Sequence, residues 1–276
     1  MIRRLLPYAV LLGLTLLGYM YALATKDPVV RRAEIGLANW PAGAAPIRAV
    51  LISDIHVAGP DMPPARLAAI VAQINALRPD LVLIAGDLIS EKRVATRYYS
   101  MADAIRPLGE LTPRLGTVAV LGNHDHWYDA PGAVAALRSA RVVLLDNQAV
   151  RLGPIAIGGL DDAHTRKDDV PATIEQLRRL GGAKLILSHS PDVFPELPAD
   201  IGLTLAGHTH CGQIAPPLLG PIVTASRYGR RFACGLIREG GRSLIVTAGL
   251  GTSGLPLRLG AEPDLWLLTL RSAAAR

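Results

Sequence analysis

The sequence has few aromatic residues, only two cysteines and no long run of charge. Aromatic residues make up 4% of the 276 residues, so a core must be built mainly from leucine, valine, isoleucine and alanine. Hydrophobic residues make up 50% and charged residues 19%, which excludes a disordered chain. Cys211 and Cys234 form no CxxC pair, and the sequence leaves open whether they are bonded or free.

The chain also lacks a basic tail, although its net charge is +6. That charge suits an anionic substrate, a nucleic acid or an acidic membrane surface. The arginines are scattered in pairs without interleaved aromatic residues, so we expect no dedicated nucleic-acid binding. A solvated, arginine-rich surface explains the charge equally well.

Charge is absent altogether from Leu5 to Thr25. About 20 apolar residues span a bilayer, whereas the apolar region of a signal peptide needs only about 7–15. Residues 1–25 are therefore predicted to be a transmembrane anchor or a signal segment. The length favours the anchor, but Ala22-Leu23-Ala24 offers a cleavage site. Arg3 and Arg4 favour a cytoplasmic amino terminus, and hence an extracytoplasmic catalytic domain.

Apolar runs alternate with helical patterns over much of the remaining chain. Residues 26–46 are interpreted as a linker and residues 47–272 as one domain. Helices are predicted at Pro63–Leu77, Arg97–Arg106, Ala133–Ala140 and Thr173–Leu180. Strands are predicted at Arg48–Ser53, Leu81–Ala85, Thr117–Leu121, Val142–Leu145, Ile155–Gly158, Lys184–Ser188, Leu203–Ala206, Gly235–Arg238, Ser243–Thr247 and Leu265–Leu270. The pattern predicts an α/β fold of two stacked mixed sheets flanked by helices.

Five short polar clusters stand at the ends of predicted strands. Five of the seven histidines lie in them, and carboxylate and amide oxygens accompany the imidazoles. Open α/β sheets bind ligands at the carboxyl ends of their strands, and this mixture of donors suits Mn, Fe or Zn. The clusters are Ser53–His56 (SDIH), Gly86–Leu88 (GDL), Gly122–Asp125 (GNHD), Ser188-His189 (SH) and Gly207–His210 (GHTH).

In order and spacing, these clusters resemble the calcineurin-like metallophosphoesterase superfamily. GHTHCGQI, SRYG and TSGLP, with the apolar amino terminus, resemble its membrane-associated bacterial branch of phosphodiesterases and UDP-2,3-diacylglucosamine pyrophosphatase-like enzymes. The resemblance implies a four-layer αββα sandwich. It also implies two divalent metal ions, with Mn favoured and Fe or Zn as alternatives.

The resemblance implies a role for each site residue. One metal ion would be held by Asp54, His56 and His210, and the other by Asn123, His189 and His208. Asp87 would bridge the two ions, because a carboxylate shares its oxygens between cations whereas a neutral imidazole normally binds one. His124 would give a proton or hydrogen bond to the leaving group. Asp125 directly follows His124, and from this adjacency it is expected to orient the imidazole or merely to cap a turn.

Several further residues stay open. His164 and Ser226–Arg231 are predicted either to face the substrate or to lie on a solvated surface. The glycine-rich stretch Gly249–Arg258 would offer backbone amides to an anion. Cys211 would unsettle the choice of metal if its thiol were free, while a small buried cysteine is the plainer interpretation.

We therefore expect a metal-dependent hydrolase that cleaves a phosphoester or pyrophosphate bond through a metal-bridging hydroxide. A phosphorylated small molecule or a lipid-linked substrate is expected, with the membrane contacted through residues 5–25. A nuclease of the same superfamily and a metal-supported scaffold without catalysis are the alternatives.

Overall fold

Two six-stranded sheets form the framework of the computed structural model, which describes residues 2–273. Met1, the first residue of the predicted anchor segment, lies outside the described residues. The helices are α1 Ile2–Ala24, α2 Pro64–Ala76, α3 Met101–Ile105, α4 Asn123–Ser139 and α5 Val170–Arg179. The strands are β1 Val29–Leu37, β2 Ile47–Ile52, β3 Leu81–Ala85, β4 Thr117–Val120, β5 Val142–Leu144, β6 Gln148–Leu152, β7 Ile155–Gly159, β8 Ala183–Leu187, β9 Leu203–Ala206, β10 Gly235–Glu239, β11 Arg242–Val246 and β12 Asp264–Ser272.

Both sheets are mixed. The first has the strand order β1-β12-β2-β3-β4-β5 and the second the order β10-β11-β9-β8-β7-β6. Strands β2 to β5 run parallel, as do β7, β8, β9 and β11. The carboxyl ends of each parallel set therefore lie at one edge of its sheet.

The layers follow from which face of each element is apolar. Between the sheets lies a buried core to which both contribute, including Leu51 and Leu83 from the first and Leu185 and Leu205 from the second. Helices α2, α3 and α4 cover the outer face of the first sheet. Helix α5 covers the outer face of the second. The predicted αββα sandwich is confirmed.

The segment interpreted as a linker contains a strand. Val29–Leu37 forms β1, which pairs in parallel with β12 at the edge of the first sheet. Only Ile35 and Leu37 of this strand are fully buried, while Arg31, Arg32 and Glu34 are exposed. Such an edge strand lacks the continuous apolar run that marked the buried strands, and the half-exposed β6 was missed for the same reason.

Two helices differ from their predicted bounds. The predicted helix Arg97–Arg106 is shortened to α3, because the Ser100 hydroxyl accepts from the Asp103 amide and caps the helix there. A 3₁₀ turn, Arg106–Glu110, follows it. The predicted helix Ala133–Ala140 is only the second half of α4, which begins at Asn123 and is broken at Asp129, where φ is −167°.

The amino-terminal helix stands apart from the domain over most of its length. Leu5–Ala24 is long and apolar enough to cross a membrane, with a mean hydropathy of 1.6. Only 6% of this apolar stretch is buried inside the protein, and Ala24 at its end is buried. A soluble core helix would bury its apolar side chains, so this helix is suited to an apolar environment outside the domain.

Candidate metal centre

The predicted site residues lie where parallel strands end. Asp54 and Asp87 follow β2 and β3, and Asn123 follows β4 in the first sheet. His189 and His208 follow β8 and β9 in the second sheet. The face-to-face packing of the sheets brings these two edges together. All seven predicted metal ligands are buried, and they are Asp54, His56, Asp87, Asn123, His189, His208 and His210.

The backbone of the site is strained. Five of these residues have positive φ angles, namely Asp54 (47°), His56 (50°), Asp87 (55°), His208 (70°) and His210 (51°). Each such residue costs on the order of 1–2 kcal/mol. Hydrogen bonds of 3.0 Å from Asp54 N to Gly86 O and from His56 N to Asp87 O help to hold this conformation. Strain concentrated in one place is typical of a functional site.

Asp54, His56 and His210 form the first group of converging side chains. The Nε2 atom of His210 lies 3.3 Å from Asp54 Oδ1 and 3.0 Å from His56 Nε2. The Nε2 atom of His56 is also 3.4 Å from Asp87 Oδ2. The predicted first set of ligands is therefore assembled, with the shared aspartate at its border.

A second group forms around His189. Its Nε2 atom lies 3.1 Å from Asp87 Oδ2, 3.1 Å from His208 Nδ1 and 3.1 Å from Asn123 Oδ1. Its other ring nitrogen, Nδ1, lies 2.7 Å from the carbonyl oxygen of Ala85. That carbonyl fixes the proton on Nδ1 and leaves Nε2 free to coordinate a cation.

The donor set fits divalent cations. Ligand atoms lie within 4.8 Å of one another in the groups Asp54–His56–His210 and Asp87–His189–His208, and also in His56–Asp87–His124. Within the described chain, His56 Nδ1 and His208 Nε2 have no hydrogen-bond partner. Imidazole nitrogens facing one another at 3.0–3.1 Å satisfy each other poorly, whereas a cation between them would satisfy both.

Burial keeps three of the imidazoles in the neutral form that coordinates metal. It holds the pKa of His56 and of His210 well below the ordinary value, and it lowers the pKa of His208 to about 4. Burial also opposes the charges of Asp87 and His189. Their mutual attraction prevails. The pKa of Asp87 therefore falls well below the usual range of an aspartate, and the pKa of His189 rises well above the usual range of a histidine.

His124 contacts a residue that the sequence did not reveal. Its Nδ1 atom lies 2.8 Å from both carboxylate oxygens of Glu91, and its backbone amide donates to Asp87 Oδ1 at 2.9 Å. Burial lowers the pKa of His124, but the hydrogen bond to Glu91 and the charge of Asp87 outweigh it, so the pKa is raised. Glu91 lies in a loop with no periodicity, and no motif of the sequence marks it.

A cavity of about 650 Å³ opens onto this constellation. Asp87, Asn123, His124, His208 and His210 line its polar end. The remaining wall is largely apolar and includes Trp127, Ile214, Ile222, Val223 and Ala225. A substrate in this cavity would therefore contact both the His/Asp cluster and apolar side chains.

The profile of calcineurin-like phosphoesterases matches residues 47–212, which cover all five clusters. The chain belongs to this family. The predicted resemblance to calcineurin-like metallophosphoesterases is therefore confirmed. The family match is consistent with metal-dependent phosphoester hydrolysis, and the His/Asp groups are suited to hold a metal ion.

Two relatives extend the similarity across nearly the whole chain. A transmembrane protein with metallophosphoesterase domain from Danio rerio is 31% identical over 96% of this chain and 62% of its own length. Metallophosphoesterase YkuE of Bacillus subtilis is 30% identical over 92% of this chain and 90% of its own. The chain thus spans about three fifths of the length of the Danio rerio protein.

A solved structure, a 5'-nucleotidase precursor from Thermus thermophilus, matches with a TM-score of 0.49 and 17% identity. The match covers 82% of this chain and 55% of that chain.

In this calcineurin-like site, Asp125 does not orient His124, which corrects the first of its two predicted roles. Its carboxylate accepts from the Gly122 amide at 3.0 Å and the Leu88 amide at 2.8 Å. Burial and the charge of Asp87 raise the pKa of Asp125 to about 7. Asp125 therefore joins the GD and GNHD loops of the family motif, which is the capping alternative, and Glu91 occupies the position expected for Asp125.

The two cysteines form a disulfide, Cys211–Cys234, with the Cα atoms 4.7 Å apart. Cys211 directly follows His210 and is buried. The open question about a free thiol beside the metal ligands is thereby decided, because the Sγ atom is not available to a cation. The bond ties the GHTH loop of the phosphoesterase motif to the start of β10.

The glycine-rich stretch also differs from its predicted role. The amides of Leu250 and Gly251 donate to the carbonyl of Asp54 at 3.2 Å and 2.8 Å, so they support a predicted ligand instead of an anion. Arg258 is fully buried behind them.

The remaining stretches divide between cavity and surface. His164 lines the cavity, its ring centroid 5.0 Å from that of His208. Arg227 and Arg231 pair with Glu196 and Glu239, as expected for the solvated alternative. His126, for which no role was predicted, lies 2.7 Å from Asp161 through its Nε2 atom.

Proposed function

We propose that this chain is a membrane-anchored, dinuclear metallophosphoesterase that hydrolyses phosphodiester or pyrophosphate bonds. One observation supports the proposal more strongly than the others. The Oδ2 atom of Asp87 lies 3.4 Å from His56 Nε2 of the first group and 3.1 Å from His189 Nε2 of the second. His124 lies at the cavity beside them with Glu91 behind it.

The proposed allocation follows the two groups of contacts. Asp54, His56 and His210 hold one cation, and Asn123, His189 and His208 hold the other. Asp87 serves both, since its Oδ2 atom lies near both His56 and His189. Manganese is the proposed metal, and iron or zinc suits the same oxygen and nitrogen donors.

Two bound cations would lower the pKa of a water molecule and neutralise the phosphate oxygens. His124 gives a proton from Nε2 to the leaving oxygen, while Glu91 accepts from Nδ1 and stabilises the imidazolium. Trp127 packs edge-on against His124, with the ring centroids 5.0 Å apart, and limits rotation of the imidazole. The cavity residues therefore orient His124 and supply the proton for the leaving oxygen.

The proposed location is a membrane, with the catalytic domain on the extracytoplasmic side. Support for the membrane comes from α1 and from the Danio rerio and Bos taurus relatives, which are named transmembrane proteins. The Cys211–Cys234 disulfide supports the orientation, because disulfides persist in oxidising compartments.

The test uses the full chain purified in detergent, loaded with Mn²⁺ and assayed with bis(p-nitrophenyl) phosphate. Asp87→Asn should lower turnover by more than about 100-fold, the upper end of the cost of losing a residue behind a metal ligand. Asp200→Asn is the matched control, because Asp200 is partly exposed and, within residues 2–273, forms ion pairs with Arg178 and Lys184 alone.

Metal content is measured on the same samples. Bound Mn²⁺ without turnover would mean a scaffold, and preferential cleavage of DNA with a steep salt dependence would mean a nuclease. Turnover by metal-free protein, or full turnover by Asp87→Asn, would overturn the proposal.

A further inference from the structure

One uncharged loop leaves its large apolar side chains in solvent. Residues 214–223, here called the apolar loop, contain no charged residue. Leu218 and Leu219 are 106% and 65% exposed, and Ile222 and Val223 are 63% and 72% exposed. Burying one such side chain stabilises by roughly 1.5–3 kcal/mol, so four together in solvent indicate an interaction surface.

The apolar loop is held in place by its own backbone. Gly220 N donates to Pro216 O at 2.9 Å, and Ile222 N donates to Ile214 O at 3.2 Å. At its base, Ala215 N donates to Leu259 O at 2.6 Å. The exposure of its side chains is therefore a property of an ordered loop that projects from the domain.

The same region receives the end of the apolar helix. The Arg258 amide donates to the Met20 carbonyl of α1 at 3.1 Å. Leu259, the next residue, pairs with Ile214 in an isolated bridge as well as accepting from Ala215. The carboxyl end of α1 and the base of the apolar loop are thus attached to neighbouring residues of one strand-like stretch.

The apolar loop also forms one wall of the catalytic cavity. Ile214, Ile222 and Val223 line it together with His208 and His210. Arg230 stands next to the loop, where a Cβ added to Gly220 would lie 3.7 Å from its Nη1 atom. Among the described residues Arg230 makes no ion pair, so its exposed charge is available to an anionic headgroup.

We propose that the apolar loop inserts into the membrane that α1 spans, and that the substrate is a phosphoester on a lipid headgroup. The base of the apolar loop and the carboxyl end of α1 are attached to the adjacent residues Leu259 and Arg258. The exposed side chains of the loop therefore lie where the bilayer around α1 can bury them. A lipid leaving the bilayer along Ile222 and Val223 would keep its hydrocarbon in contact with apolar side chains while its phosphoester reached His124. The substrate clause rests on the catalytic part of the proposed function, whereas the position of the loop rests only on the proposed membrane anchoring.

The position of the apolar loop relative to the membrane is tested by tryptophan fluorescence. The full chain is placed in phosphatidylcholine vesicles with and without acyl-chain-brominated lipid. Leu218→Trp is compared with Val143→Trp, a site of 47% exposure on β5, the edge of the first sheet opposite β1. The signal of Trp40, Trp127 and Trp266 is subtracted using the parent protein. We expect strong bromine quenching of the added tryptophan at 218 and little at 143. Equal quenching at both sites overturns the insertion, and Leu219→Trp repeats the test if Leu218→Trp fails to fold.

Substrate class is tested with methyl and hexadecyl p-nitrophenyl phosphate, which share a leaving group. Leu218→Ser combined with Leu219→Ser should lower hydrolysis of the hexadecyl ester in vesicles by about tenfold or more, the equivalent of losing one buried leucine. Hydrolysis of the soluble methyl ester should stay within about twofold, because neither leucine lines the cavity. Equal losses overturn the lipid substrate. If the parent protein hydrolyses neither ester, the proposed function fails, and the quenching comparison still decides where the loop lies.

Discussion

The guanidinium Nη2 atom of Arg258 lies 3.4 Å from the Nδ1 atom of His210, and both side chains are buried. That distance is long for a hydrogen bond, and Nη2 instead donates to the carbonyls of Ala248 at 2.7 Å and Gly251 at 2.5 Å. After burial itself, the charge of Arg258 is the strongest influence holding the pKa of His210 well below its ordinary value. Arg258 therefore supports the metal centre without coordinating metal.

Replacing Arg258 by methionine should destabilise the protein strongly. Its guanidinium also donates to the carbonyls of Gly249 and Ala261, so the change leaves several buried carbonyls without a donor. We expect a loss of about 3 kcal/mol in the free energy of unfolding, measured by urea denaturation after metal removal. Arg151→Met is the control, since Arg151 is exposed and donates to one carbonyl. Similar losses in both variants would contradict this role.

Glu91→Gln should slow the reaction in proportion to the demand of the leaving group for a proton. A carboxylate stabilises the imidazolium of His124 better than a neutral amide does, by roughly the factor of ten that separates charged from neutral hydrogen bonds. We expect about a tenfold loss of kcat with methyl phenyl phosphate and a smaller loss with methyl p-nitrophenyl phosphate. Glu110→Gln, at an exposed carboxylate, serves as the control. Equal losses with both esters would mean that Glu91 only supports the fold.

Gly251→Ala should weaken metal binding. A Cβ at this position would overlap the Ile55 carbonyl oxygen and come within 3.1 Å of His56 Cβ, so the loop holding His56 must move. Such a displacement should lower Mn²⁺ affinity by about 10–100-fold in isothermal titration. Gly109→Ala is matched in chemistry, but its Cβ meets ordinary contacts at 3.6 Å. Unchanged affinity in Gly251→Ala would show that the loop yields without disturbing His56.

The His126–Asp161 pair should make stability depend on pH. The hydrogen bond to Asp161 raises the pKa of His126 above its ordinary value near 6.5. The stabilisation is therefore complete below the unfolded pKa and is lost as pH rises through the folded pKa. His126→Gln should cost about 1 kcal/mol near pH 6 and much less near pH 9. Urea denaturation at both pH values measures this difference, and a cost independent of pH would refute the assignment.

Reducing the Cys211–Cys234 disulfide should destabilise the domain by about 3 kcal/mol, the magnitude expected for a closed loop of this size. Thermal unfolding with and without a phosphine reductant measures the effect. The double variant Cys211→Ala, Cys234→Ala should unfold at the lower temperature and no longer respond to reductant. A reductant effect that persists in the double variant would trace to something other than this bond.

The side chains that converge at the site were easier to predict from the sequence than the residues that support them. The convergence of the Asp, Asn and His side chains could be predicted because five motifs each end an apolar strand, and parallel strands place their carboxyl ends together. Glu91 could not be found, because a single glutamate in a loop carries no pattern and reaches His124 only through the tertiary fold. Asp125 was assigned to His124 from adjacency in sequence, but α4 begins at Asn123 and directs the carboxylate toward backbone amides.

The same limit applies to the fold. Buried strands such as β3 are recognisable by continuous apolar runs, and the structure places β3 at the predicted Leu81–Ala85. β1 carries exposed Arg31, Arg32 and Glu34, and its identity as a strand depends on β12, far away in the sequence. The pairing of Cys211 with Cys234 likewise follows from where the chain brings them and not from their spacing.

The strand order β1-β12-β2 has a consequence for biosynthesis. β1 follows α1 almost directly, but within the described chain its strand partner is β12, paired from Val29 with Asp264 to Leu37 with Ser272. A growing chain must therefore hold unpaired strand edges on β1 and β2 until β12 has been made. β12 also borders β2, which leads into Asp54, so a chain terminated early carries an open edge next to its own catalytic centre. Such edges invite aggregation and proteolysis, which would remove incomplete copies of this chain.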